Sequence, residues 1–399
     1  MKVAYVTVRY GKAVLGGAEQ ACRQLAEHLA ADGADISVHT TCALDATTWD
    51  DVLPPGEAHE AGVRVHRHRS TSGRDPGFDA FSGPVLADPA AATTARQEEW
   101  LRRQGPVCPA AVESALASGA DIVVATPYLY WPTVDVARRS PPGSLVLHPA
   151  AHDEPPVHLP LFAGVFGAAT GLAFYTDAER RLVERLFPCL SARSQAVVGI
   201  GVDLRPESDP VRFRASAGMG ERPYLLCLGR VDEGKGTAVL ARFFATYKRR
   251  RPGPLALVFA GPVVHPPPAH PDVITTGAVT EEEKWSALAG AVALVNPSVN
   301  ESFSIVALES WAAGRPVLVN ARCGPTAEHA RRSRGGLAFA GYAAFEAAVD
   351  RLVEDPRAAA ALGAAGRAYV ERSFAWPVVT ARYRAWLERV VTARHGAVG

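Results

Sequence analysis

Apolar residues in this chain gather in short, nearly unbroken runs, and these alternate with stretches of helical period. Val3 to Val8 is the first run, followed by the glycine-rich turn YGKAVLGG and a helix pattern from about Ala18 to Ala31. ADISVHT, ADIVVATP, SLVLHPA, TGLAFYT and SQAVVGIG continue the series, while residues 50–110 read as irregular, with GVRVHRHRS as an edge strand. A second series opens at YLLCLGR and passes through TAVLARFFATYKRR, LALVFAG, VITTGAV, EEEKWSALAGA, VALVNPS, FSIVALESWAAG and RPVLVNA. Strands apolar on both faces, alternating with helices, predict mostly parallel sheets covered by helices. Two such series predict two similar α/β domains. Between them RPESDPVRFRASAGMGERP loses periodicity and gains charge, proline and glycine, which places a linker at residues 203–222. The domains are then 1–202 and 223–376, and the break at Trp376–Pro377 starts a last helix, about 377–395.

Composition narrows the function classes. With 42 Lys plus Arg against 41 Asp plus Glu, the net charge of +1 gives no bulk attraction to nucleic acid or to an anionic membrane. The dense basic run of Arg64, His66, Arg67, His68 and Arg69 is the local exception. It reads as a charged strand edge that blocks unwanted pairing, or as a contact for an anionic acceptor or a lipid surface. The six cysteines are scattered and none forms a CxxC, so neither a disulfide framework nor a zinc site is expected. The first apolar run is too short and interrupted for a signal peptide or a membrane span. A soluble, cytoplasmic protein without a transmembrane segment is expected, with peripheral membrane contact left open.

The chemistry concentrates where carboxylates fall among apolar residues. In NESFSIVALES, Glu301 lies just beyond a predicted strand and Glu309 two turns into the following helix. An ionised carboxylate only accepts hydrogen bonds, which suits the hydroxyl pairs of sugars and riboses. Backbone N–H groups near Ser302 and Phe303, at the expected helix start, suit phosphate oxygens. The alternative for Glu309 is a structural pair with Arg315 or Arg322, and for Glu301 a solvated loop. In LCLGRVDEGKG a strand ends at a glycine turn, and Arg230 and Lys235 then present cations able to neutralise a diphosphate, including charge that develops on a leaving one. The spacing does not match a P-loop, and the first glycine turn lacks GxGxxG.

These motifs resemble the retaining glycosyltransferases of GT-B family 4. The resemblance rests on the EX7E element from Glu301 to Glu309, on GRVDEGKG, on AAGRPVLVN after the second glutamate, and on the weaker GGAE (residues 16–19) and GVD (residues 201–203). It implies a GT-B fold, two Rossmann-like domains facing across a cleft, with the last helix completing the first domain. It implies transfer of a sugar from a UDP- or GDP-linked donor to a small-molecule, lipid-linked or glycan acceptor, with retention, without a metal ion and without a further cofactor. Glu301 would then bind the donor sugar hydroxyls and Glu309 the ribose. Arg230 and Lys235 would contact the diphosphate, helped by the amides of Ser302 and Phe303, and Gly16 and Gly17 would lie near the phosphates and the acceptor. Members of the family often carry a histidine in the region of LVLHPAAHDEPP. His152 is matched to it, with His148 as the competing choice, and Asp153 or Glu154 would orient the ring or meet the acceptor. Glu19 caps the first helix or lines the cleft, and Tyr128, Tyr130 and Trp131 form an acceptor platform or lie in the core. No enzymic nucleophile is identified, which fits front-face attack with the leaving phosphate taking the acceptor's proton. A nucleotide-sugar 2-epimerase, a pseudo-glycosyltransferase and a non-catalytic sugar-nucleotide-binding protein share these features. The arginine-, alanine- and proline-rich composition fits a GC-rich bacterial source, where such enzymes build natural products or envelope glycans.

Overall fold

Strands that are apolar on both faces need cover on both sides, and the chain supplies it twice. The structure is a computed structural model that describes residues 1–14, 16–204 and 208–396. It divides into one unit made of Met1–Gly201 with Val379–Gly399 and a second made of Val202–Val378. No helix among the described residues is long and apolar enough to cross a membrane.

The first unit holds β1 (Lys2–Val6), β2 (Asp35–Thr41), β3 (Gly56–Glu60), β4 (Val63–His68), β5 (Ile122–Ala125), β6 (Leu145–Leu147), β7 (Gly171–Phe174) and β8 (Ser194–Val197). Their order across the sheet is β3-β4-β2-β1-β5-β6-β7-β8, parallel throughout except where β3 pairs antiparallel with β4. The basic run is therefore not an edge strand. β4 lies inside the sheet, with Val63, Val65 and Arg67 buried, and β3 takes the edge. Its charges are matched within the unit. Arg64 pairs with Asp35 at 2.6 Å, Arg67 with Glu60 at 2.5 Å, and His66 lies 3.7 Å from Glu57. Residues 50–110 are also more regular than their proline and glycine content predicts. Helices Phe78–Ala87 and Thr94–Gln104 form there because Phe78, Trp100 and Leu101 reach a common core. The final helix, Trp376–Gly396, packs on this sheet: Tyr383 meets the Tyr5 hydroxyl at 3.2 Å and Trp386 Nε1 donates to Ser194 Oγ at 3.1 Å.

The second unit holds β9 (Tyr224–Leu228), β10 (Ala256–Ala260), β11 (Val273–Gly277), β12 (Ala293–Asn296), β13 (Val317–Asn320) and β14 (Gly336–Phe339). All pairs are parallel, in the order β11-β10-β9-β12-β13-β14. Counted from its first strand this is the doubly wound order 3-2-1-4-5-6, which reverses direction between β9 and β12 and opens a crevice beyond their C-terminal ends. The first sheet reverses the same way between β1 and β5.

Of the stretch expected as a linker, residues 205–207 lie outside the described residues. The rest is not a bare connector. It includes the helix Pro210–Ser216, whose buried Phe213 packs on the Tyr224 ring at 6.0 Å, while the Asp209 amide donates to Ser286 Oγ at 3.0 Å. Buried Met219 and a bond from Arg214 Nη2 to the Gly290 carbonyl at 3.2 Å dock it further.

Trp311 locks the helix Ile305–Ala312 in place. The ring is fully buried and its Nε1 donates to the Gly335 carbonyl at 2.8 Å. A Cβ on Gly366 would stand 1.9 Å from Trp311 Cδ1. Gly366→Ala is therefore expected to cost about 1–3 kcal/mol through overpacking. The measurement is the urea midpoint followed by tryptophan fluorescence, and an unchanged midpoint would mean that this contact does not hold the helix.

Candidate functional site

The crevice of the second sheet collects the loops that follow β9 and β12. The first carries Arg230 and Lys235 and the second carries Glu301, and the fold brings the two into contact: Lys235 Nζ donates to Glu301 Oε1 at 2.7 Å. Glu301 is largely withdrawn from water while Lys235 is 39% exposed, so the ammonium covers the carboxylate from the solvent side. The loop after β12 is built by its own side chains. Asn296 Nδ2 donates to Ser304 Oγ at 2.9 Å and Ser298 Oγ to the Asn300 carbonyl at 3.0 Å. Asn320, at the end of β13, donates to the Pro297 carbonyl at 2.9 Å. The helix starts at Ile305, later than its apolar pattern predicts, so Ser302 and Phe303 lie in the bend ahead of it. Ser304 turns the chain there in the left-handed region, at φ 71°.

Asp232, absent from the sequence-based candidates, organises the β9 loop. Its buried carboxylate accepts from Arg230 Nε and, at 2.7 Å, from the Lys235 amide, and its carbonyl accepts from Thr237 Oγ1 at 2.8 Å. One acid thus sets the turn that presents both cations. Arg230 remains largely exposed, with most of its guanidinium fork turned to solvent.

Glu309 projects from the helix Ile305–Ala312 and is only 5% exposed. Its partner is neither Arg315 nor Arg322 but Lys284, from the helix Glu281–Gly290, whose Nζ donates to Glu309 Oε1 at 2.6 Å and to Glu281 Oε1 at 2.9 Å. Burial pushes the Glu309 carboxyl above its usual range and the Lys284 charge pulls against that. Burial also opposes the Lys284 charge, but the two carboxylates outweigh it and hold the ammonium above its ordinary range. In the sequence Lys284 follows three glutamates at a capping box set by Thr280 and Glu283, where it reads as an ordinary surface charge.

In the first unit the structure separates the two histidines. His148, the first residue beyond β6, is 1% exposed and lies between the rings of Tyr175 and Tyr383, at 5.5 and 5.0 Å; burial lowers its pKa to about 3. It is a neutral core residue. His152 is half-buried, with Nε2 3.1 Å from Glu154 Oε2. Glu154 in turn accepts from the Tyr128 hydroxyl at 3.0 Å, so Glu154 orients the ring while Asp153 pairs with His158 at 2.9 Å. A second acid that the sequence did not flag, Glu179, is buried and accepts from the Ala151 and Tyr175 amides at 2.8 and 2.7 Å, which fixes the backbone just ahead of His152. Burial raises Glu179 to about 8 despite those amides.

The remaining first-unit candidates divide between core and rim. Tyr128 is buried edge-on to Phe162 at 4.8 Å, so it anchors Glu154 and presents no stacking face. Tyr130 and Trp131 are half-buried, Tyr130 with its ring edge-on to Trp49 at 5.1 Å. Glu19 is spent on Arg9: Arg9 Nε and Nη2 donate to its Oε1 at 3.1 and 2.5 Å, both side chains buried. It neither caps the helix Gly17–Ala31 nor meets solvent, because a buried carboxylate without that guanidinium would be too costly. A Cβ on Gly16 would lie 2.2 Å from Glu19 Oε2, which accounts for the first glycine, whereas a Cβ on Gly17 would meet nothing within 4 Å.

Chemically, the second sheet's rim offers two carboxylates for hydroxyls and two exposed or half-exposed cations for an anion. Known proteins carry related chains. Residues 222–355 match the family described as Glycosyl transferases group 1. The chain is 32% identical over 203 residues to a GDP-mannose-dependent alpha-(1-6)-phosphatidylinositol monomannoside mannosyltransferase of Mycolicibacterium smegmatis, an alignment spanning 46% of this chain and 53% of that protein. It is 28% identical over 375 residues, 88% of each chain, to the protein of the same description from Mycobacterium tuberculosis. Among solved structures it resembles one described as trehalose-6-phosphate from E. coli bound with UDP-2-fluoro glucose, with a TM-score of 0.73 at 12% identity over 98% of this chain and 99% of that one.

The assignment of His148 to the core has a pH signature. Its folded pKa lies below the ordinary value near 6.5, so the unfolded chain takes up a proton first as pH falls and stability is lost below about pH 6.5. His39, also lowered to about 3 by burial and by the neighbouring His66 and His68, adds in the same direction. His148→Phe is expected to reduce the drop in melting temperature between about pH 7 and about pH 5. Equal drops for variant and wild type would show that His148 is not held neutral.

Proposed function

We propose, for a chain that belongs to the GT-B glycosyltransferases, that it moves a sugar from a nucleotide-diphosphate donor to an acceptor hydroxyl with retention of anomeric configuration. The observation that carries this reading is the 2.7 Å contact between Lys235 and Glu301 at the switch point of the second sheet. A carboxylate that accepts from hydroxyls and a phosphate-seeking cation are there in direct contact, close enough to serve adjacent parts of one ligand. Glu301 takes the donor sugar's hydroxyls, and Glu309 takes the ribose. Arg230 and Lys235, with the amides of Ser302 and Phe303, meet the diphosphate, and Gly17 offers open backbone in the first unit.

Diphosphate binding draws Lys235 off Glu301, and the freed carboxylate accepts from sugar hydroxyls in its place. As the bond from the anomeric carbon to the phosphate oxygen breaks, charge grows on the diphosphate, where Arg230 and Lys235 stabilise it most. No metal ion is assigned to that role. The acceptor oxygen bonds to the same carbon on the face the phosphate leaves, and its proton passes to the departing phosphate oxygen. In the first unit His152, held by Glu154, is assigned to substrate hydroxyls. The donor is UDP- or GDP-linked, in line with the GDP-mannose dependence named for the mycobacterial relatives and the UDP-sugar bound by the structural neighbour. The acceptor is a small-molecule, lipid-linked or glycan hydroxyl.

Purified protein given UDP- and GDP-sugars with an acceptor panel should form an α- or β-linked product matching its donor, read by anomeric NMR couplings. An epimer from donor alone would instead mark an epimerase, and saturable binding without product a non-catalytic reader. Glu301→Gln and Lys235→Met are each expected to lower turnover at least about tenfold, with melting temperatures close to wild type. Near-normal rates in both variants would overturn the site.

A further inference from the structure

Among the described residues, Glu309 has a buried cation beside it, and that cation has no assigned part in the reaction. Resting on the nucleotide-sugar reading above, we propose that Lys284 is a positioning residue for nucleotide recognition: it keeps Glu309 ionised and aimed, so that the carboxylate accepts from both ribose hydroxyls. Lys284 Nζ donates to Glu309 Oε1 at 2.6 Å, and Lys284 is itself only 9% exposed. The second carboxylate on Lys284 comes from Glu281, which is 63% exposed and adds length to the chain of charges without burying a further acid.

Among the described residues, three charged groups act most strongly on Glu309. Lys284 and Glu281 come from the helix Glu281–Gly290, and Asp203 from the segment that opens the second unit. The helix Pro356–Ser373 packs on Glu309's own helix and the turn after it through Gly363 and Gly366, against Gly314 and Trp311. Lys284 is thus the positive member of the set. Without it burial and two negative neighbours raise the carboxyl further and favour its protonated form. A protonated Glu309 keeps one acceptor and gains a donor, and it no longer matches two hydroxyls that both donate.

The sign of the pH effect follows. In the wild type the Lys284 ammonium, 2.6 Å away, favours the carboxylate against the rise that burial imposes, so nucleotide affinity is expected to change little with this group near neutral pH. In a variant without the Lys284 charge, affinity is low near neutral pH and recovers as pH rises and Glu309 ionises. A purely structural ion pair would lower the melting temperature but would not create that profile.

The test uses calorimetric binding of UDP, GDP and their 2′-deoxy and 3′-deoxy forms to the full chain, between about pH 6 and about pH 9. Wild type should bind UDP or GDP and lose at least about tenfold when a ribose hydroxyl is removed. Lys284→Met should bind the ribonucleotide about tenfold more weakly at neutral pH, should distinguish ribo from deoxy forms poorly, and should regain affinity toward high pH. Lys284→Gln, which retains an N–H donor and drops the charge, should behave the same way, and it carries the test where the methionine variant fails to fold. In a Glu309→Gln background, Lys284→Met should add no further loss. Full discrimination against deoxynucleotides, or a flat pH profile, in the folded Lys284 variants overturns the proposal. Failure of the wild type to bind any of the nucleotides would instead strike the nucleotide-sugar reading itself.

Discussion

A carboxylate withdrawn from water needs a cation or a set of N–H donors at contact distance, and the acids at both sheet rims meet that condition. Glu301 has Lys235, Glu309 has Lys284 and Glu19 has Arg9, whereas Glu179, held by the amides of Ala151 and Tyr175 and alone of these without a paired cation, is pushed up to about 8. The partner usually comes from a different element: a loop after β9 for an acid after β12, and one helix for an acid on another. The Lys235–Glu301 and Lys284–Glu309 pairings thereby tie together elements far apart in the sequence. The acids are exacting residues that work only when the fold around them is complete.

Topology explains why so much chemistry gathers on one rim. In a parallel sheet every strand ends on the same side, so the loops after β9 and β12 emerge side by side where the strand order reverses. The loop after β9 is short and held by Asp232, and the loop after β12 is held by Asn296, Ser298 and Asn320. Neither cation nor acid depends on a long flexible arm. In the proposed reaction this coupling has a use: the diphosphate and the sugar are read by groups already in contact, so filling one subsite releases the reader of the other.

Much of the fold was legible in the chain. Near-continuous apolar strands alternating with helices announce parallel sheets, and the structure adds the 3-2-1-4-5-6 order that no local pattern carries. At several positions tertiary contacts override local composition. GVRVHRHRS reads as an edge because it is basic, yet β3 pairs with it and its charges find Asp35, Glu57 and Glu60. The helix after Glu301 starts late because Ser304 adopts the left-handed region, which apolar periodicity does not reveal.

At the site, the spacing from Glu301 to Glu309 and the GR…K element are local features, so the sequence alone singled out Glu301, Glu309, Arg230 and Lys235. It also placed two histidines near one strand end but could not rank them by environment. Burial between Tyr175 and Tyr383 made His148 a core residue, while His152 stays half-buried beside Glu154. Lys284, Asp232, Arg9 and Glu179 emerged only from the folded chain. Their roles are set by which charge lies within hydrogen-bond reach, and that distance exists only after strands and helices far apart in sequence have packed.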